Sequence, residues 1–458
     1  MRHQTARSDY GTLLWKEYQW GVDYRLYDII DHAYKDRDAS FEYDDRGYLV
    51  RAIYNRKEEQ FRTPDKLGNL YETKNKTDRK YTNSQLQQDR TYYYHYDVEG
   101  NLIFKEHIKD VGYRPVFSGG ELRDLGINPK STGKGILYTW NANGSLRSVL
   151  GVDGIRYSFK YDAFGRRITK RRMSSTFHFV WDGNVLLHEI FKKDNSEHTE
   201  LTTWVFEGFV PTAKLVNGKA YSIISDHLGT PILAIDSDGM EVWNRQLDIY
   251  GRVRKEYKHS SLGEDVFPFV PFLYQGQYYD FETGLCYNRF RYYSPETGSY
   301  ISQDPIRLAG GNPTLYGYVG DNNTWVDVFG LSGRGGAKHR EIQEQLRDDL
   351  KGLGKNVGTE GQIKLKNDKS RFGDVVVYAD DKKKQILEVH QIGDMRTRGG
   401  FRPSSRERGA IMDIREALGD NVRIVFHDKK GQVTLIDPDK ADDWKEPSKK
   451  HRKNTCQL

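Results

Sequence analysis

The chain has 458 residues, too many for one ordinary core, and at about 150 residues per domain its length points to two to four units. Hydrophobic residues make up 36%, much of it tyrosine (31 residues), and no run approaches the about 18–20 uncharged apolar residues of a membrane-spanning helix. The two cysteines, Cys286 and Cys456, exclude a disulfide framework and a cysteine-based zinc site.

The start, Met1-Arg2-His3-Gln4, lacks the apolar stretch of a signal peptide, which predicts a chain made in the cytosol. Composition breaks near residue 332. Before it lie 30 tyrosines, 7 tryptophans and 17 phenylalanines; after it only Tyr378, Trp444, Phe372, Phe401 and Phe426. Residues 332–458 carry 28 Lys/Arg and 21 Asp/Glu, a balance of +7, which leaves −1 of the total +6 for residues 1–331. The stretch Ser332-Gly333-Arg334-Gly335-Gly336 has the composition of a flexible linker. The expected units are therefore 1–331, near-neutral and aromatic, and 332–458, smaller and basic.

In the first unit an aromatic–Asp/Asn–x–x–Gly pattern recurs. It appears as Tyr43-Asp44…Gly47, Tyr96-Asp97…Gly100, Trp140-Asn141…Gly144 and Tyr161-Asp162…Gly165, and more loosely as Ile235-Asp236…Gly239. Each reads as a hairpin turn: the Asp or Asn side chain bonds to backbone ahead of it and the Gly supplies a positive φ. Repetition of this kind predicts a solenoid-like antiparallel sheet in which each hairpin covers its predecessor's edge.

These repeats, together with Asp226-His227-Leu228-Gly229-Thr230-Pro231 and Tyr278-Tyr279-Asp280…Thr283-Gly284-Leu285…Tyr287-Asn288-Arg289, resemble the YD repeats of the RHS family of bacterial polymorphic toxins. Asp304-Pro305-Ile306-Arg307-Leu308 and Asp327-Val328-Phe329-Gly330-Leu331, eighteen residues apart, are similar to that family's paired DPxGL self-cleavage motif. The resemblance implies a β shell around a C-terminal toxin, released by autoproteolysis after Leu331. Asp304 and Asp327 are then the acid–base pair, one carboxylate activating water and the other, protonated, polarising the scissile carbonyl. Two letters depart from the motif. Arg307 stands in place of Gly and is expected to lower the pKa of a neighbouring aspartate, and Val328 in place of Pro removes a fixed φ. Family members carry more repeats and a delivery segment, so a gene fragment or an incomplete shell is expected.

The basic unit reads, in order, as a helix over 339–353 with Ile342, Leu346, Leu350 and Leu353 on one stripe, strands over 357–365, 372–378 and 385–392, a helix over 405–418, and strands over 422–426 and 433–436. Asp380-Asp381-Lys382 reads as the turn between the second and third strands. This αβββαβ order resembles the restriction-endonuclease-like core of the PD-(D/E)XK nuclease superfamily. Asp374 and Glu388, on adjacent strands, are the expected carboxylates for Mg²⁺ or Mn²⁺, with Glu344 or Glu341 as a further ligand. His390 stands two residues beyond Glu388, where the superfamily has Lys, and is the expected proton handler, with Gln391 sharing the role. Arg396, Arg398, Arg402 and Arg406 are expected to contact phosphates.

The functional expectation is an antibacterial effector made in the bacterial cytoplasm and delivered to a target cell. Its basic unit would be a metal-dependent nuclease, with DNA favoured, and an acidic immunity protein would restrain it. Two alternatives stay open: a metal-independent RNase using His390, and a non-enzymatic surface protein whose aromatic repeats bind glycans.

Overall fold

The computed structural model describes residues 2–21, 25–113, 119–197, 199–262, 268–307 and 312–331, and in the last quarter 347, 350, 355–364, 370–379, 385–393, 395–396, 402–403, 405–418, 422–428 and 433–436. The chain divides into two compact units, Met1–Arg334 and Gly335–Leu458.

Among the described residues, the first unit is built from antiparallel strands that pair in strict chain order. Six run from His3–Ser8 to Glu58–Phe61, sixteen from Lys80–Thr82 to Val253–Lys258, and four from Tyr278–Asp280 to Ser299–Tyr300. The expected long antiparallel meander is present, broken into these three sheets and a two-stranded pair, Thr63–Pro64 with Leu70–Tyr71.

The repeat has a structural cause. At Asp44, Oδ1 accepts the amides of Arg46 (3.0 Å) and Tyr48 (2.9 Å), while Gly47 takes φ +85°, open to glycine at little cost. Asp97, Asp162 and Asp236 make the same pair of bonds. So do Asp65, Asp226 and Asp248, which the aromatic-led pattern passed over. The strand register slips by one residue at Tyr43, Tyr96, Trp140 and Tyr161. Such bulges leave a carbonyl without a ladder partner. The aromatic of a following turn satisfies it: Trp140 Nε1 donates to the carbonyl of Leu102 (2.8 Å), the Tyr161 hydroxyl to that of Leu146 (2.7 Å), and Trp181 Nε1 to that of Arg167 (2.8 Å). The aromatic before Asp thus couples each hairpin to the previous one.

Phe159, Phe177, Phe179, Trp204, Tyr221 and Trp243 of the long sheet share one core with Phe272, Tyr278, Tyr287 and Tyr292. The segment after residue 268 therefore packs onto the sheet. It is also fastened by charge: Asp280 accepts from Arg167 Nη2 at 3.1 Å and sits 3.1 Å from Lys170 Nζ, with all three side chains buried.

The second unit has a five-stranded sheet in the order Asn356–Lys364, Ser370–Tyr378, Ile386–Gly393, Arg423–Asp428, Val433–Ile436. Ile386–Gly393 and Arg423–Asp428 pair in parallel, the other neighbours antiparallel. A parallel pair needs a crossover, and helix Ser405–Leu418 lies between the two strands in sequence. Ile411 and Ile414 of that helix pack on Val389, Ile424 and Phe426. The strands and this helix fall where period and caps predicted. Of the helix expected over 339–353, the described residues Arg347 and Leu350 are helical, with Leu350 packed against Val357, Val375 and Val377; the rest, and the turn at 380–382, lie outside the described residues.

Candidate functional site

At the end of the first unit, residues from three segments meet on one guanidinium. Arg291, at the start of strand Arg291–Ser294, places Nη2 3.0 Å from Oδ2 of Asp304 and 3.4 Å from Oδ2 of Asp327. Its Nε donates to the carbonyl of Gly330 and its Nη1 to that of Leu315 (3.2 Å). Asp327 is fixed further by the Tyr300 hydroxyl on Oδ2 (2.9 Å) and by the Leu331 amide on Oδ1 (3.0 Å). Asn288 ties the arrangement together, donating to the Tyr300 hydroxyl (2.6 Å) and to the Asp327 carbonyl (2.8 Å). Gly276 lets the segment approach: a Cβ there, at φ +83°, would stand 2.2 Å from the carbonyl oxygen of Val328. Val328 itself is buried against Leu228 and Val326.

The two carboxylates are unequal. Asp304 lies in an environment that raises its pKa to about 6; burial drives it up, and Arg291 and the amide of Ile306 oppose the rise. Asp327 is clasped by a hydroxyl, an amide and Arg291. An open groove of about 630 Å³ borders Asp304 and is also lined by Trp140, Phe164, Arg289 and Arg307, so water has access to that side. Arg307 does not act as the sequence suggested. It is exposed, its amide bonds to the Asp304 carbonyl at 2.8 Å, and it takes φ +53°, the conformation for which the motif's Gly is suited. The cation beside Asp304 is Arg291, which lies thirteen positions earlier and which sequence reasoning missed.

A pair of this kind could share acid and base roles, and any such activity would take its pH dependence from the raised pKa of Asp304. Folding favours protonated Asp304; that contribution to stability is complete below the ordinary value of 3.8 and is lost as pH rises through about 6. Cleavage that requires protonated Asp304 should slow about tenfold per pH unit above that point. Chain refolded across this range and sampled by gel densitometry gives the profile, and a rate rising with pH would contradict the assignment.

In the second unit, a polar cluster sits on the parallel strand pair. His390 Nδ1 is 2.8 Å from His427 Nε2, and His390 Nε2 is 3.4 Å from Glu388 Oε1. Glu388 Oε2 accepts from Lys355 Nζ at 2.7 Å, and Arg423 Nε lies 3.6 Å from Oε1. Glu388, His390 and His427 are buried, whereas the side chains of Lys355 and Arg423 are 35% and 60% exposed and so open to an anion. Burial pushes the His390 imidazole down to about 4 against the pull of Glu388. Burial raises the Glu388 carboxyl, but Lys355, His390 and Arg423 outweigh it and hold it below the ordinary value.

The other expected residues are placed as follows. Asp374 lies within Ser370–Tyr378, its side chain outside the described residues; the register sets its neighbour Val375 opposite His390, and Val377 opposite Glu388. Gln391 is buried in register with Phe426, in the alternate row from Glu388 and His390. Arg396 pairs with Arg402 in a short two-stranded ladder and Arg406 lies in the first turn of Ser405–Leu418. The side chains of these three, with Arg398, Glu341 and Glu344 entirely, lie outside the described residues. Among the described residues no group of three or more His, Cys, Asp or Glu is arranged to hold a metal ion. Glu388 is already engaged by Lys355 and faced by Arg423 and His390. That donor set does not by itself fit Mg²⁺ or Mn²⁺. Nor, among the described residues, is any helix long and apolar enough to cross a membrane.

A chain-ordered β meander with Asp-x-x-Gly turns, capped by a segment that carries paired aspartates, defines a YD-type shell. The chain belongs to the teneurin YD-shell family, whose sequence model matches residues 25–309. It is 33% identical over 255 residues to the probable deoxyribonuclease RhsA of Dickeya dadantii, covering 54% of this chain and 16% of the relative. It is 30% identical over 210 residues to the tRNA3(Ser)-specific nuclease WapA of Bacillus spizizenii, covering 45% and 9%. The chain thus spans about a sixth of RhsA and less of WapA. Among solved structures it is similar to the Photorhabdus luminescens Tc holotoxin pore with TccC3, at 18% identity and a TM-score of 0.43, over 72% of this chain and 19% of that one.

Proposed function

We propose that this chain belongs to an RHS-type antibacterial effector, in which the shell unit cuts the chain after Leu331 and the basic unit hydrolyses phosphodiester bonds. The observation that carries the reading is the convergence of Asp304, Asp327 and the Leu331 amide around Arg291. A shell that cuts itself at that point has a cargo to release, and the cargo is residues 332–458. Nuclease names among the relatives support the cargo's class, and its balance of +7 suits a polyanion. Lys355 and Arg423 would meet the phosphate, and His390 beside Glu388 would handle the proton. DNA is the favoured target. Delivery into another cell and a cognate acidic immunity protein belong to the same reading, since an active cargo endangers its maker.

Two forms of the chemistry are separable. The strand–helix–strand order and its superfamily resemblance favour a form dependent on Mg²⁺ or Mn²⁺, which would need oxygen ligands beyond Glu388, since the register sets Val375 and Val377 rather than Asp374 opposite His390 and Glu388. The His390–His427 contact beside Glu388 favours a metal-independent RNase. Purified full-length chain incubated with plasmid DNA and with total RNA, with Mg²⁺ and with EDTA, tests both. We expect cleavage by the wild type and a loss of at least about a hundredfold in Glu388→Gln. Loss in EDTA assigns the first form and persistence the second, and no cleavage of either nucleic acid overturns the reading.

A further inference from the structure

His390 and His427 come from strands joined through the helical crossover, 37 residues apart. Parallel pairing sets Ile392 beside His427, and the two rings approach with centroids 5.0 Å apart and planes tilted by 33°. The 2.8 Å contact uses Nδ1 of His390 and Nε2 of His427. The other nitrogen of His390, Nε2, has no hydrogen-bond partner although the residue is 4% exposed. It faces Oε1 of Glu388 at 3.4 Å. Two lone pairs facing each other at that range repel, so the carboxylate favours a proton on Nε2 of His390. Nδ1 is then an acceptor, and His427 must donate from Nε2. An N–H of the neighbouring imidazole on Nδ1 thus holds His390 in the tautomer that Glu388 favours, as partners behind functional histidines do elsewhere.

We propose that His427 is a positioning residue of the phosphodiesterase site, fixing the ring orientation and tautomer of His390 so that a protonated Nε2 faces Glu388, the carboxylate that Lys355 and Arg423 also approach. The inference rests on the nuclease reading but is independent of whether a metal takes part. It adds a residue that the Glu388–His390 pair alone does not include.

The test uses the full-length chain with supercoiled plasmid DNA and total RNA as probes, comparing His427→Phe with His427→Gln. Phe fills the space without a donor; the Gln carboxamide carries an N–H that can reach Nδ1. We expect His427→Phe to lower kcat about ten- to a hundredfold with KM little changed, and His427→Gln to recover most of the rate, both variants keeping the wild-type thermal midpoint. Equal rates in the two variants, whether high or low, overturn the proposal, because a side chain needed only for packing would not distinguish a donor from a ring. A wild-type chain inactive on both probes overturns the nuclease reading instead, and this inference with it.

Discussion

Asp327→Asn should leave the chain uncut, migrating as one species of 458 residues where the wild type separates after Leu331. The substitution keeps one oxygen, which can still accept the Leu331 amide in place of Oδ1 and so retain the local backbone, while its NH2 replaces Oδ2 and the Tyr300 hydroxyl there must accept instead of donate. What is lost is the negative charge balanced by Arg291 and the ability to take a proton from water. A loss of at least about a hundredfold in cleavage rate follows. Asp304→Asn should do the same for the complementary reason, removing the acid whose pKa burial raises to about 6. Gel analysis of both variants, with far-UV circular dichroism to confirm the β content, checks this; cleavage at wild-type rate in either would remove that aspartate from the mechanism.

The second large effect is on stability. Asp280 is fully buried between Arg167 and Lys170 and joins the hairpin at 278–288 to the long sheet. Burial raises its carboxyl, but the two cations outweigh this and hold it below the ordinary 3.8. Asp280→Asn leaves Arg167, itself 1% exposed, without its counter-charge. Breaking a buried pair in this way costs about 3–5 kcal/mol, most of it from the stranded ion rather than from the pair's net worth. The midpoint of urea unfolding should fall accordingly. Because the folded pKa is depressed, the native pair's contribution is present above pH 3.8 and is lost as pH falls below it. A change under about 1 kcal/mol would mean that water reaches Arg167.

How much of this was legible in the sequence depends on the range of the determinants. The turns were readable because Asp and Gly are fixed by bonds within five residues, as at Asp44–Tyr48. The turns at Asp65, Asp226 and Asp248 escaped only because Pro64, Ser225 and Leu247 stand where an aromatic was sought. The paired aspartates were readable from their spacing, whereas Arg291 was not, since only the folded hairpin carries it to both. Arg307 was read as a charge when its consequence is a backbone angle. In the basic unit, period-two alternation put Glu388 and His390 together, and the structure brings them within 3.4 Å. His427 and Arg423 depend on a parallel register set across a crossover helix, and Lys355 on a strand two places along the sheet, which no local spacing encodes. The separate antiparallel register with Ser370–Tyr378 sets Val375 opposite His390 and Val377 opposite Glu388, so Asp374 does not stand opposite Glu388 as the sequence reading expected.

The most direct test is the intact mass of freshly purified wild-type chain, read together with the N-terminal sequence of the smaller product. Two species, residues 1–331 and 332–458, with the new terminus at Ser332, are the predicted result. A single uncut chain, or a cut displaced from the Leu331–Ser332 bond, would contradict the role assigned to Asp304, Asp327 and Arg291.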